Sequence, residues 1–317
     1  MQATRIKAIV IQYGGLLVAI AVLVLFFGAM TKNFFTATTL LTVANTIPDI
    51  TVVAVGMTLV LIAGGIDLSV GSVMAFSGSL LGVLLLSHKW PLAMAAGGAV
   101  LLGAVCGGLN GWISAYFRIP AFIVTLGMLE VARGGASWMT DSTTQYVGSS
   151  LGWVSEPLPA IGLSVSFLLS IMIVLLGQWM LHRTVLGRLA IAVGTNAESV
   201  RMSGISTTPI LVSLYCISGA LCGVAAIMQS SKLSTVDPNA GVGMELSAIA
   251  ACVIGGTSLR GGHGSVISTF FGVLVISILQ TGLAQMGVSD PIKRMITGGV
   301  IILAVLIDAM RKPARDR

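Results

Sequence analysis

Two apolar runs, residues 50–66 and 68–87, contain no Asp, Glu, Lys, Arg or His and are separated by a single acid, Asp67. Their lengths approach the roughly 20 residues that a helix needs to cross a hydrocarbon core. An ionised acid in bare lipid costs roughly 3 kcal/mol or more, so Asp67 belongs at a water boundary, in a polar cavity or against a partner. The glycines beside it, in Gly64-Gly65-Ile66-Asp67-Leu68-Ser69-Val70-Gly71, add a turn or a close backbone approach at the same point.

The same pattern recurs along the chain. Charge-free stretches define ten expected spans, near residues 8–30, 45–63, 68–87, 92–115, 120–140, 162–181, 209–229, 246–259, 264–285 and 294–309. The eighth is too short to cross untilted and reads as a half-helix. Only 9% of the residues are Asp, Glu, Lys or Arg, against about 25% in a soluble domain. The expected fold is an all-α polytopic membrane protein with some helices short or broken, one transmembrane domain over residues 1–317.

Lys and Arg then set the orientation. Of the 17, eleven fall on the side of the N-terminus, five on the other, and Arg133 falls within a span. This places both termini in the cytoplasm. The net charge of +6 follows from topology and needs no nucleic-acid partner. Cys106, Cys216, Cys222 and Cys252 all lie in apolar runs and read as buried small hydrophobes.

Two loops are long. The outer loop 141–161 has no Lys or Arg and carries Tyr146 and Trp153, which suit an interface. The inner loop 182–208 holds Thr195 or Asn196 as a helix N-cap, Glu198 in the first turn and Gly204 as a C-terminal cap. One short amphiphilic helix of about 6–8 residues is expected there, either a solvated connector or a docking element.

Catalytic chemistry has little to stand on. His88, His182 and His263 lie at span ends, and HExxH, GxSxG and GxxxxGK[ST] motifs are absent from the sequence. An enzyme is not expected, nor a cofactor or metal held by this chain. Glu130 and Arg133, three apart on one helical face, are expected to form a structural ion pair. Asn45, beside Pro48, and Asn110, among glycines, can hydrogen-bond either a polyol or a neighbouring helix. With charge so scarce inside the spans, a neutral hydroxyl-rich solute fits better than an ion. The residues alone leave open a passive or ion-coupled carrier working without an ATPase.

A weak internal echo relates Gly64-Gly65-Ile66-Asp67-Leu68 to Gly255-Gly256-Thr257-Ser258-Leu259. The span count puts both on the same side, as a parallel duplication requires. It also puts Asp67 at the inner end of the second span, where it is either a cap for the next helix or a contact on the solute path.

Longer stretches carry a family resemblance. They are Ala54-Val55-Gly56-Met57-Thr58-Leu59-Val60 leading into Gly65-Ile66-Asp67-Leu68-Ser69-Val70-Gly71-Ser72, then Pro120-Ala121-Phe122-Ile123-Val124-Thr125-Leu126-Gly127, and Thr184-Val185-Leu186-Gly187-Arg188. Gly194, Asn196 and Ser203-Gly204-Ile205 follow, then Gly243-Met244-Glu245-Leu246-Ser247 and Val253-Ile254-Gly255-Gly256-Thr257-Ser258-Leu259-Arg260-Gly261-Gly262-His263-Gly264. Over roughly residues 30–308 the chain resembles the permease subunits of bacterial ABC importers for monosaccharides, the ribose/xylose/arabinose/galactose-type group. The resemblance implies a pore of two permeases in the inner membrane, a homodimer or a pair with a second permease. It also implies cytoplasmic ATPase subunits that hold ATP and Mg, and a periplasmic sugar-binding protein. Loop 182–208 would then be the ATPase-coupling segment, through Gly194, Thr195, Asn196, Glu198, Ser199, Arg201 and Gly204. Asn45, Asp67, Ser69, Asn110 and Phe122 are the candidates for the solute path.

Overall fold

The computed structural model describes residues 2–311; the basic tail 312–317, counted above for orientation, lies outside the described residues. The helices are α1 (Gln2–Met30), α2 (Ala37–Thr46), α3 (Pro48–Ile62), α4 (Val70–Leu86), α5 (Leu92–Phe117), α6 (Ala121–Met139), α7 (Gly152–Ser155), α8 (Val165–Arg183), α9 (Val185–Met202), α10 (Thr208–Leu233), α11 (Met244–Ile254), α12 (Val266–Gln285) and α13 (Asp290–Arg311). Each of the ten expected stretches contains helix, but α11 ends at Ile254 and leaves residues 255–259 of the eighth outside it. By length and composition, α5, α8, α10 and α12 can each cross a membrane, and the bent pair α2–α3 makes a fifth. α11 has 11 residues, about 16 Å of helix and half a span.

α3 lies at the centre. Thr51 to Ile62 are all buried, against α8, α10, α11 and α12. A helix apolar on every side belongs inside a bundle rather than on a lipid face. Its entry is bent by 48° at Ile47, because Pro48 has no N–H to continue α2. Ile50 N–H turns instead to Asp49 Oδ1 at 2.9 Å. The Thr46 carbonyl, left without that donor, accepts from Lys232 Nζ at 3.0 Å, and the same ammonium lies 3.7 Å from Asp49.

The closest helix pair is α5 with α10, joined through glycines. A Cβ on Gly107 would stand 2.0 Å from the Tyr215 carbonyl, and one on Gly219 would stand 2.0 Å from that of Gly103. Backbones touch directly, as small residues allow in membrane packing.

Two loops differ from expectation. The outer loop holds a strand β1 (Gln145–Tyr146) that pairs antiparallel with β2 (Thr235–Val236), a pairing too short and polar to leave a sequence pattern. The inner loop is mostly helix: α9 has 18 residues, with non-helical φ/ψ at Asn196. The expected short helix is the arm after Asn196. The arm before it was hidden by Arg188 and the flanking polar residues, and is started by Thr184 Oγ1 accepting from Gly187 N–H at 3.2 Å.

The echo corresponds to two matching helix ends. Gly65 N–H bonds Val60 O, and Gly64, at φ +83°, bonds Leu61 O. Thr257 N–H bonds Cys252 O, and Gly256, at φ +82°, bonds Val253 O. Both are Schellman ends, so Gly64 matches Gly256, one residue off the sequence match. The breaks lie side by side, with Gly262 N–H donating to Ile62 O at 2.8 Å.

Gly107→Ala should destabilise the solubilised protein by about 1–3 kcal/mol in thermal unfolding, because the added methyl meets backbone. Gly108→Ala, with nothing within 4 Å, should leave the melting temperature unchanged or raise it slightly.

Candidate functional site

Asp67 is 2% exposed in the turn between α3 and α4. Its Oδ1 accepts from Ser69 N–H at 2.9 Å and from Ser69 Oγ–H at 2.6 Å. Ser69 Oγ in turn accepts from Asn110 Nδ2 at 2.9 Å. Three of the five solute-path candidates therefore form one chain of hydrogen bonds, from the start of α4 to α5. The carboxylate meets an N–H at a helix start, where negative charge is favoured. Among the described residues it has no ion-pair partner. Asp67 closes an Asx turn on Ser69, the residue before α4.

Ser258 has the same local habit at the second break, its Oγ accepting from Arg260 N–H at 3.2 Å. A hydroxyl thus holds one turn and a carboxyl group the other.

The remaining candidates lie apart. Asn45 bridges to the 162–164 segment, its Nδ2 donating to Gly162 O at 2.9 Å and its Oδ1 accepting from Ser164 N–H at 2.8 Å. That is interhelical bonding at the α2–α3 bend. Phe122 is 50% exposed on α6. Thr125, one turn further on, accepts from Leu68 N–H at 3.1 Å and donates to Ile66 O at 3.2 Å, pinning the Asp67 turn to α6.

The expected Glu130–Arg133 pair does not form. Among the described residues the ion pairs are Glu198–Arg201, Asp49–Lys232 and Asp290–Lys293. Arg133 Nη1 donates instead to the carbonyls of Pro238 and Ala240, at 2.7 and 2.9 Å, while Glu130 is exposed. The physical reason is the irregular segment 237–243. Pro238 and the positive φ of Gly241 and Gly243 leave carbonyls without helical donors, and buried carbonyls must be satisfied. Glu245, given no role by the sequence, sits in the first turn of α11 and accepts from Gly243 N–H at 3.2 Å.

Sequence reasoning also missed Gln178 and Tyr215. Gln178 Oε1 on α8 accepts from Val266 and Ile267 N–H at 2.9 and 3.3 Å, capping α12 from a neighbouring helix. A lone amide in the apolar stretch 162–181 was the available signal. Tyr215 is buried, and among the described residues its hydroxyl and Asn110 Oδ1 have no hydrogen-bond partner. A Cβ on Gly65 would lie 2.4 Å from the Tyr215 hydroxyl, so the phenol points at the Asp67 turn.

The coupling candidates divide at Asn196. Asn196 Oδ1 accepts from Ser199 N–H at 2.9 Å, as an N-cap, and Glu198 pairs with Arg201 at 2.7 Å. Gly204, at φ +81°, ends the arm, with Ile205 N–H bonded to Val200 O. Thr195, Asn196, Glu198, Ser199, Arg201 and Gly204 are all exposed. Gly194 is not; it packs against the two breaks.

A helical bundle with broken spans, inward-facing caps and one exposed bent arm is a multi-pass membrane permease. Residues 39–305 match the family described as branched-chain amino acid transport system / permease component. Ribose import permease protein RbsC of Escherichia coli is 36% identical over 297 residues, covering 92% of each chain. Fructose import permease protein FrcC of Rhizobium meliloti is 31% identical over 306 residues, covering 92% of this chain and 84% of its own. L-arabinose ABC transporter permease protein AraH of Azospirillum brasilense is 34% identical over 264 residues, covering 83% and 77%. No solved structure matches. The chain belongs to this family of ABC import permeases and is the membrane subunit of such an importer.

Asp67→Asn keeps an acceptor for both Ser69 donors and should lower transport by less than about tenfold with the fold intact, whereas Asp67→Leu should lose about 1–3 kcal/mol of stability. Thermal unfolding and uptake measured on the same preparations check this. A folded Asp67→Asn protein with no transport would instead assign the charge to the solute path.

Proposed function

We propose that this permease imports a neutral monosaccharide or related polyol across the bacterial inner membrane. The observation that carries the reading is similarity along 92% of the chain to a permease named for ribose import, joined by relatives named for fructose and L-arabinose. These are uncharged sugars. Two charges of the helical body are committed, Asp67 to Ser69 and Arg133 to two backbone carbonyls, while Glu130 is exposed on α6. An ionic solute needs countercharge that is not so committed.

In this reading ten spans place both termini in the cytoplasm, and two copies, or this chain and a second permease, enclose the solute path. Phe122, exposed on α6, is a wall residue of that path, and Asp67, Ser69, Asn110 and Asn45 hold the helix breaks in place behind it. A periplasmic binding protein delivers the solute. Partner ATPase subunits, holding ATP and Mg, drive the change of access, and no cofactor is held by this chain.

The ATPase docks on the arm after Asn196. An open surface groove runs beside it, lined by Thr195, Asn196, Ser199, Ser203 and Ile205 among others. Met202 is 81% exposed next to Arg201, an apolar anchor beside a charge, the combination that concentrates binding energy at interfaces.

Proteoliposomes with this chain, the ATPase and the binding protein should accumulate a pentose or hexose only when ATP is enclosed with the ATPase. Uptake without ATP or without the ATPase would make the chain a solitary carrier. Separately, Met202→Asp should lower ATPase retention in a pull-down about tenfold; unchanged retention would remove the arm from the interface.

A further inference from the structure

Gly194 stands where three pieces of backbone meet. A Cβ on it would lie 1.8 Å from Ile62 O and 2.6 Å from Gly262 N, which are the two atoms joined by the hydrogen bond between the breaks. Its neighbours close the junction. A Cβ on Gly261 would lie 2.8 Å from Gly194 O and 2.9 Å from Gly64 Cα. One on Gly262 would lie 2.7 Å from Thr195 Oγ1 and 3.2 Å from Thr195 Cα. No flexible side chain separates α9 from either break at this point.

We propose that Gly194 is a positioning residue, the contact through which the docking arm moves both helix breaks as one body. The proposal rests on the assignment of the arm after Asn196 to the ATPase, and it removes Gly194 from the residues that face that partner. Close-packed backbone has no soft rotamers to absorb a displacement, so a push on α9 passes on with little loss. The non-helical Asn196 follows two residues after Gly194 and marks the boundary between the arm and the packed segment. The segment before it, Val185 to Thr195, rests on the membrane body.

From the junction the push has two exits. Ile62 is the last residue of α3, and the turn after it leads through Asp67 and Ser69 into α4. Gly262 precedes α12, whose first N–H groups are held by Gln178. Because Gly262 N–H donates to Ile62 O, neither break can shift without the other while that bond lasts. Gly204 contrasts with this: a Cβ there meets nothing within 4 Å, so it only ends the arm.

The test uses the full complex in proteoliposomes. In Gly194→Ala, the ATPase should stay bound and hydrolyse ATP, while solute imported per ATP falls at least about fivefold. A Gly97→Ala control, where a Cβ also meets nothing within 4 Å, should leave that ratio unchanged. An unchanged ratio in Gly194→Ala would overturn the proposal. Should that variant fail to fold, a tether decides. Thr195→Cys with His263→Cys leaves Gly262, at φ +81°, unsubstituted and puts both thiols at exposed positions beside the contact, where a short thiol cross-linker with a reducible bond joins them. If α9 and the breaks move together, the cross-linked protein imports as well as the reduced one. Loss of import on cross-linking, restored by reductant, would overturn the proposal. Loss of ATPase binding in Met202→Asp is a separate readout, so failure of the docking assignment is distinguishable from failure of the relay.

Discussion

Backbone N–H and C=O groups in a membrane interior have no water to turn to, and every departure from helix must be repaired by protein. This fold departs repeatedly and repairs each break from a different direction. Lys232 on α10 takes the Thr46 carbonyl freed at the α2–α3 bend. Thr125 on α6 serves both Leu68 N–H and Ile66 O in the turn before α4. Gln178 on α8 takes the first N–H groups of α12, and Arg133 on α6 takes two carbonyls of the 237–243 segment. Of the polar side chains that first suggest a solute site, Asn45 and Asp67 also bond backbone groups.

These repairs also fix the relative placement of helices. Each donor or acceptor sits on an element other than the one it completes, so the caps double as ties between α5, α6, α8, α10 and the half-helices. A net gain of about 1 kcal/mol per bond is modest, but an unsatisfied buried group costs more. The helix breaks and their neighbours therefore stand or fall together.

Much of the architecture was legible because apolar length and charge position are direct consequences of the bilayer. Gly64 and Gly65 announced the turn beside Asp67, and Asn196 and Gly204 announced the arm. Spacing misled at Glu130 and Arg133, since a shared helical face does not decide where a long guanidinium reaches. It reached unpaired carbonyls nearly 110 residues away in sequence, at Pro238 and Ala240. Gln178 was illegible for a related reason: its partner is the end of another helix, and sequence does not show which ends meet. The first arm of α9 was obscured because its apolar run is short, interrupted by Gly187 and Arg188 and flanked by polar residues. The echo located both breaks but missed their true register by one residue, since glycine-rich turns align easily in several ways.

The α5–α10 seam has a consequence for how such a chain can diverge. With carbonyl oxygens where a methyl would go at Gly103, Gly107 and Gly219, those positions admit no side chain, whatever the solute or the lipid. Leu101, Val105 and Leu109, exposed on the same helix, face no such limit and can drift among apolar residues of any size. One helix therefore carries a frozen edge and a free edge a few ångströms apart, and new transport specificities must arise from elements other than this seam.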